Sequence, residues 1–414
     1  MFNEIFGIST DLCELDNKVM KQCAPVFERI EQIKSYNQLK VLKAFTDNAI
    51  GAQHLAGSTG YGYGDIGRDA LDRVFAAIVG AEDSLCRTHF MSGTHALTVA
   101  LFGLLRTGDT LLAVTGEPYD TLCGVIGTKG GKYGSLIEYG VKYEQIELVN
   151  GEPNYTEIEK RACGAKVVHI QRSRGYSTRR AFSCEEIGLI ASAVKQGNPN
   201  AIVFVDNCYG EYTEKTEPTQ HGADIIVGSL IKNPGGAIAE TGGYIAGRSD
   251  LVELCAHRLT APGTGREIGC TPGGMRNMFL GVYMAPSVTA DALKSAVYCS
   301  AIFERIGCEV SPKYDETRSD IVTTVNMRDE RGLKVLCKAV QSSSPIDSFA
   351  TPEACEMPGY DSKVIMAAGA FTCGSSIELS CDAPIRPPFV AYVQGGISLA
   401  ASRLAFLRAV GEMI

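Results

Sequence analysis

The sequence predicts an α/β fold: a mostly parallel sheet sandwiched by helices, followed by a smaller α+β domain at the C-terminal end. Three observations carry this. Short continuous apolar runs recur between residues 110 and 247 with little polar alternation, the pattern of strands buried on both faces. Segments of helical spacing lie between them, so strand and helix take turns along the chain, as a parallel sheet with crossover helices requires. From about Ser287 the pattern changes to a long helix, isolated strands and further helices.

Taken in order, Leu12, Leu15, Val19, Cys23, Val26, Ile30 and Ile33 recur at helical spacing through residues 10–48, within an N-terminal helical segment, 1–56. A glycine-rich passage, GSTGYGYGDIGRD at 57–69, opens a large domain spanning 57–286, and Ala70 to Val79 continues as a helix. The strands are TLLAV (110–114), QIELV (145–149), KVVHIQ (166–171), AIVFVD (201–206), DIIVGSL (224–230) and GYIAG (243–247). Helices between them include Thr94–Leu105 and Ser183–Lys195. The second of these opens with Ser183 as N-cap and Glu186 at the third helical position, a capping box. The small domain, 287–414, reads as a helix at Val288–Ile306, a strand VTTVNM, a helix near Gly332–Gln341 and a strand IELS at 377–380.

Composition excludes several classes. With 414 residues and 45% of them hydrophobic, the chain buries a substantial core without staples. A net charge of −8 argues against nucleic-acid binding, which favours basic surfaces. No run of 18 uncharged apolar residues occurs, and the first residues lack a basic stretch ahead of an apolar core, so the chain reads as soluble and intracellular. The 15 cysteines include no CxxC pair, the closest two being Cys373 and Cys381. Their spacing fits neither a metal site nor a disulfide framework, and most sit in apolar runs where Cys packs as a small hydrophobe. Reduced thiols of a cytoplasmic protein are expected.

In an open α/β sheet, ligands bind beyond the carboxyl ends of the strands, so polar residues that terminate apolar runs carry the chemical information. AIVFVD ends on Asp206. DIIVGSLIKNPGG brings Ser229 and Lys232 to another strand end, and burial there makes a lysine amine a nucleophile toward carbonyls. MSGTHAL sets Ser92, Gly93, Thr94 and His95 at the start of an apolar helix, where free backbone N–H groups suit a phosphate. Alone, each has a plain structural reading: a turn cap, a surface lysine and a helix cap. Together they form one constellation. A pyridoxal 5'-phosphate site needs a lysine to carry the cofactor, a carboxylate for its ring nitrogen and an anion hole for its phosphate. Lys232, Asp206 and Ser92–Gly93–Thr94 fill those roles, with Ser229 adding a hydroxyl.

With these residues in place, the sequence resembles the fold-type I pyridoxal phosphate enzymes of the cystathionine/methionine-lyase class. It is most similar to methionine gamma-lyase family members of the "aluminium resistance protein" type. The matching stretches are GYGYGDIGRD, GAEDSLCRTHFMSGTHAL, VHIQRSRGY, VFVDNCYGE, GSLIKNPGG, GGYIAG and IRPPFVAYVQGG. The resemblance implies a homo-oligomer, a tetramer of close dimers, in which each site borrows residues from its neighbour. Tyr63 and Arg68 would then reach the neighbouring cofactor, with Tyr61 alongside toward substrate. It also implies that Tyr119, in GEPYDTL, stacks on the cofactor. One departure stands out: where the class carries a carboxylate-binding Arg, SIELSCDAP has Glu378. Arg386 is then the nearest alternative anchor, and Arg172 or Arg174 the next.

The implied chemistry is elimination of a thiol from a sulfur-containing amino acid such as cystathionine, methionine or cysteine. Lys232, the covalent attachment point, would remove the Cα proton, and Tyr119 would act as general acid toward sulfur. An aldolase acting on β-hydroxy amino acids is the nearest competitor, because His95 follows Ser-Gly-Thr. A cysteine desulfurase fits less well, since Ile231 rather than a His precedes Lys232. A non-catalytic metal-resistance protein ranks last, because hard trivalent aluminium prefers oxygen ligands to thiols.

Overall fold

The computed structural model describes residues 1–129, 133–356 and 362–414. Helices α1 (Phe2–Phe6) and α2 (Thr10–Asp47) come first, then α3 (Ile66–Val79), β1 (Asp83–Arg87), α4 (Gly93–Leu104) and β2 (Thr110–Ala113). Next are α5 (Asp120–Ile126), β3 (Lys142–Gln145), α6 (Tyr155–Ala162), β4 (Val167–Gln171) and α7 (Cys184–Gly197). Strands β5 (Ile202–Asp206), β6 (Ile225–Ser229) and β7 (Gly243–Gly247) complete a seven-stranded sheet ordered β1-β7-β6-β5-β4-β2-β3. Strands β2 to β6 run parallel, and β7 is reversed against both β6 and β1. Every residue of β4, β5, β6 and β7 is buried, which is why these runs are apolar without alternation. Helix α7 starts where its capping box places it: Ser183 accepts from the Glu186 N–H, and Glu186 accepts in return from Ser183 N at 2.9 Å.

After α8 (Ser249–Leu259) and α9 (Arg276–Arg305) comes a second, six-stranded antiparallel sheet. It comprises β8 (Val310–Ser311), β9 (Val322–Asn326), β10 (Ala354–Cys355), β11 (Val364–Ala368), β12 (Ser380–Pro384) and β13 (Val390–Gln394). Helices α10 (Glu330–Ser342) and α11 (Leu399–Met413) pack with it. Among the described residues, no helix is long and apolar enough to cross a membrane.

Strands β8, β10, β11 and β13 and helix α11 add to the expected elements of the small domain, and four further differences have a local reason. Strand β1 was not foreseen because Ser84 and Arg87 break its apolar pattern. Both are buried and satisfied by α3: Arg87 pairs with the Asp72 carboxylate at 2.7 Å, and Ser84 donates to the Asp72 carbonyl at 2.6 Å. Strand β3 covers 142–145 rather than 145–149; it is an edge strand, half exposed in alternation. Of the IELS segment only Ser380 is in a strand, since Glu378 turns inward and accepts from the N–H groups of Phe371 and Thr372 at 2.9 and 3.1 Å. Helix α9 begins at Arg276, twelve residues before the expected Val288, and runs through Pro286. Proline lacks the N–H a helix interior needs and normally stops one. Here apolar burial on both sides of it carries the helix onward. Met278, Phe279, Val282 and Ala285 join the core of the first sheet, whereas Ala290, Leu293, Val297 and Phe303 join that of the second. The expected boundary at 286/287 therefore lies inside a helix, at the point where its contacts pass from one core to the other. Helix α2 makes the same passage, with Val19, Cys23, Val26 and Ile30 in the second core and Val41 and Ala44 in the first.

Candidate active site

The carboxyl ends of β4, β5 and β6 converge on one spot. The register sets Gln171 beside Asp206, and Asp206 beside Val227. Side chains alternate along a strand, so Gln171, Asp206 and Ser229 project from one face. Helix α4 starts against that face, capped by Ser92, whose Oγ accepts from His95 N at 3.0 Å. A Cβ at Gly93 would lie 3.0 Å from Ser229 Cβ and 3.7 Å from Cys208 Sγ, so a glycine lets the helix start sit this close to β6. The Ser229 hydroxyl is buried and has no hydrogen-bond partner among the described residues. A buried hydroxyl without a partner, beside the N–H groups of a helix start, has the chemistry to hold an anion.

Lys232 lies three residues beyond β6, at the start of a 3-10 turn, Asn233–Gly235. Its Nζ sits 4.0 Å above the Tyr209 ring. Tyr209 adopts a left-handed φ of 72°. Asn233 holds it there by donating through Nδ2 to the carbonyls of Tyr209 and Glu211, each at 3.0 Å. Such a conformation costs a non-glycine residue on the order of 1–3 kcal/mol and persists where the surroundings over-determine it. Burial alone would lower the Lys232 pKa, but the acidic groups around it, Cys208, Tyr209, Asp206 and Glu211, outweigh it and raise the value. Asp206 accepts from Cys208 N at 3.2 Å. On the same face His169 is buried, with burial the main cause and Asp206 opposing it; its pKa falls to about 4, which keeps the ring neutral.

These groups line an inner cavity of about 180 Å³. It adjoins an outer one of about 360 Å³, the two sharing Tyr119 and Gln171. Tyr119 precedes α5 and donates its backbone N–H to Gln171 Oε1 at 2.7 Å. Its ring meets Tyr176 edge-on at 5.7 Å between centroids. The outer cavity is bordered by Glu117, Arg174, Tyr176, Arg179 and Arg386 among others.

The structure thus brings Ser92, Gly93, Thr94, Tyr119, Asp206, Ser229 and Lys232 to one cavity. Other expected residues lie elsewhere. Arg172 is not at the site: it is fully buried, paired with Glu214 at 2.6 Å and Glu217 at 3.3 Å, and donates to Asn207 at 2.8 Å. It follows a buried strand by one residue and points to the opposite face from Gln171. Its role is structural, and Arg172→Leu is expected to destabilise the fold by about 3–5 kcal/mol, because it leaves Glu217 buried and uncompensated. Urea denaturation checks this. Arg68 is also enclosed, donating to Asp69 at 2.8 Å and to the carbonyls of Gly62 and Gly269, each at 3.0 Å. Tyr61 and Tyr63 are exposed and stack on each other at 5.4 Å, lining neither cavity. Arg386 is exposed on the outer rim. His95 accepts from Met91 N at 3.1 Å and packs on Phe90 rather than lining the inner cavity.

Gln171, Cys208, Tyr209 and Tyr176 were not singled out from sequence. Gln171 alone had a readable signal, as the polar end of an apolar run.

A mostly parallel sheet with a carboxylate at the end of one strand, a lysine just past the next and a glycine-led helix start facing both is the architecture of fold-type I pyridoxal phosphate enzymes. The pyridoxal-5'-phosphate dependent protein YhfS from Escherichia coli shares it at a TM-score of 0.63 and 14% identity, over 92% of this chain and 97% of its own. The sequence profile described as methionine gamma-lyase matches residues 12–414, and the chain belongs to that family. The uncharacterized protein YnbB of Bacillus subtilis (strain 168) is 44% identical over 400 residues, 96% of this chain and 95% of that protein. A carbon-sulfur lyase involved in aluminum resistance from Clostridium novyi NT superposes at a TM-score of 0.95 with 48% identity, covering 100% of this chain and 98% of its own. A proposed cystathionine beta-lyase involved in aluminum resistance from Clostridium acetobutylicum does so at 0.96 with 46% identity and the same coverage.

Proposed function

We propose that the protein is a pyridoxal 5'-phosphate-dependent carbon–sulfur lyase. It would cleave a sulfur-containing amino acid of the cystathionine, methionine or cysteine type to a thiol, a 2-oxo acid and ammonia, consuming one water. The observation that carries this reading is the convergence of Lys232, Asp206 and the Gly93–Ser229 cradle on a single cavity. The relatives described as carbon–sulfur lyases agree with it.

The residues fit the cofactor. The unpartnered Ser229 hydroxyl and the α4 start, with Ser92, Gly93 and Thr94, would hold a phosphate; Asp206 would face a ring nitrogen; Lys232 would carry the group covalently. When bound, the cofactor supplies an electron sink for the pair left when a bond to Cα breaks. The chain's own residues supply the rest. Asp206 would keep the ring nitrogen of a bound cofactor protonated by its negative charge. Lys232, once its amine is free, takes the Cα proton, and Tyr119 delivers a proton to the departing sulfur. Tyr119 lines both cavities and Tyr176 the outer one, with the two rings in edge-on contact. Ser229→Ala is expected to weaken cofactor affinity about tenfold, the worth of one hydrogen bond to a charged group, as equilibrium dialysis would show.

The same reading places the protein in the cytoplasm as a homo-oligomer, a tetramer of close dimers. The exposed Tyr61–Tyr63 pair is available to a neighbouring copy, with Tyr63 toward its cofactor and Tyr61 toward its substrate. Arg68, being enclosed, would serve that contact by holding the Gly62 turn that presents them. Arg386, expected as the carboxylate anchor, borders the outer cavity from its exposed rim.

Product analysis tests the reading. Purified holoenzyme should release thiol and 2-oxo acid in equal amounts from at least one of cystathionine, cysteine and methionine. Aldehyde release from threonine without any thiol from these three would replace the lyase with an aldolase.

A further inference from the structure

We propose that Arg174 holds the α-carboxylate of the amino-acid substrate; the proposal rests on the lyase reading above. Arg174 follows β4 by three residues, and its side chain is fully buried. One end of its guanidinium is used: Nη1 donates to the Ser311 carbonyl at 3.1 Å, to Ser311 Oγ at 3.2 Å and to Thr324 Oγ1 at 3.4 Å. The other end makes no hydrogen bond: Nε and Nη2 have no such partner among the described residues, and Nε has only a long ion pair with Asp320. The carboxylate of Asp320 lies 3.9 Å from Nε, outside hydrogen-bond range, and its Oδ2 already accepts from Ser173 Oγ at 2.8 Å. Leaving charged donors buried and unbonded is costly, so their persistence points to a ligand that completes them.

The location suits that ligand. Arg174 borders the outer cavity together with Tyr119 and Gln171, and those two residues also line the cavity that holds Lys232. A guanidinium fork with Nε and one Nη free is the bidentate partner a carboxylate prefers. The surrounding charge is unbalanced in the same sense. Asp320 is the chief carboxylate acting on both Arg179 and Arg318, and Arg174 opposes it at each. Three guanidiniums therefore share Asp320, with Asp206 adding less at Arg179 and Glu316 less at Arg318, and burial pushes Arg179 and Arg318 down to about 10. An incoming carboxylate relieves this excess. Arg386, by contrast, is exposed at the rim, where water screens an ion pair.

The test compares two ligands that differ only in the carboxylate and carry no leaving group. L-Alanine and ethylamine are titrated into holoenzyme while the cofactor's visible absorption is followed. The wild type should bind L-alanine at least roughly 100-fold more tightly than ethylamine. Arg174→Gln should abolish that preference while leaving ethylamine binding intact, Arg174→Lys should retain part of it, and Arg386→Gln should keep it. An Arg174→Gln protein that still prefers L-alanine, or an Arg386→Gln protein that no longer does, overturns the assignment. If Arg174→Gln does not fold, the crystal structure of wild-type holoenzyme with L-alanine decides, by showing the carboxylate about 3 Å from Arg174 or elsewhere. Wild-type protein that takes up no cofactor would sink the lyase reading and the anchor with it. Normal holoenzyme with an unchanged Arg174→Gln variant would sink the anchor alone.

Discussion

Lys232→Ala is expected to remove the cofactor's visible absorption band and to lower thiol release by at least about 10⁴-fold. Two functions are lost in one substitution. The amine is the covalent attachment point, and it is also the base that moves the Cα proton. Neighbouring residues cannot replace it: Tyr209, Cys208 and Asp206 surround it, and burial pushes both the Tyr209 hydroxyl and the Cys208 thiol up, away from the range in which they would act as bases. The fold should survive, because Lys232 lies over the Tyr209 ring and its amine makes no salt bridge among the described residues. Far-UV circular dichroism and denaturation midpoints close to wild type would separate loss of chemistry from loss of structure. A variant retaining more than about one hundredth of wild-type turnover would remove Lys232 from the mechanism.

Asp206→Asn is the second large effect, a loss of about 10³-fold in kcat with little change in cofactor content. The substitution is nearly isosteric, and Asn can still accept from Cys208 N as Asp206 does now. What disappears is the negative charge that keeps the ring nitrogen protonated. Attachment at Lys232 and the cradle formed by Gly93 and Ser229 remain, so the variant should stay coloured while turning over slowly. Loss of the cofactor with unchanged turnover per bound cofactor would assign Asp206 to retention rather than to chemistry.

Much of this site could be read from sequence because of where its residues stand. Asp206 and Ser229 terminate strands buried on both faces, whose apolar runs are unmistakable, and Lys232 lies just beyond one of them. Ser92–Gly93–Thr94 opens a helix that is itself almost wholly apolar. The arginines were less legible. Arg172 and Arg174 both follow the β4 run, and nothing local separates them. What separates them is Glu214 and Glu217, more than forty residues away along the chain, which close around Arg172, whereas Arg174 borders the outer cavity. Tyr209 is hidden for a related reason: its left-handed backbone depends on Asn233, and no short-range pattern announces it. The start of α9 is hidden in the sequence because a proline normally ends a helix, whereas the burial that carries α9 through Pro286 comes from two separate cores.

The central claim is that one lysine carries the cofactor. Borohydride reduction of the holoenzyme fixes a covalently held pyridoxal phosphate irreversibly, and peptide mass spectrometry then locates it. A single phosphopyridoxyl-modified peptide containing GSLIKNPGG, with the added mass on Lys232, is the expected result. Modification spread over surface lysines, or confined to a lysine other than Lys232, would contradict the account.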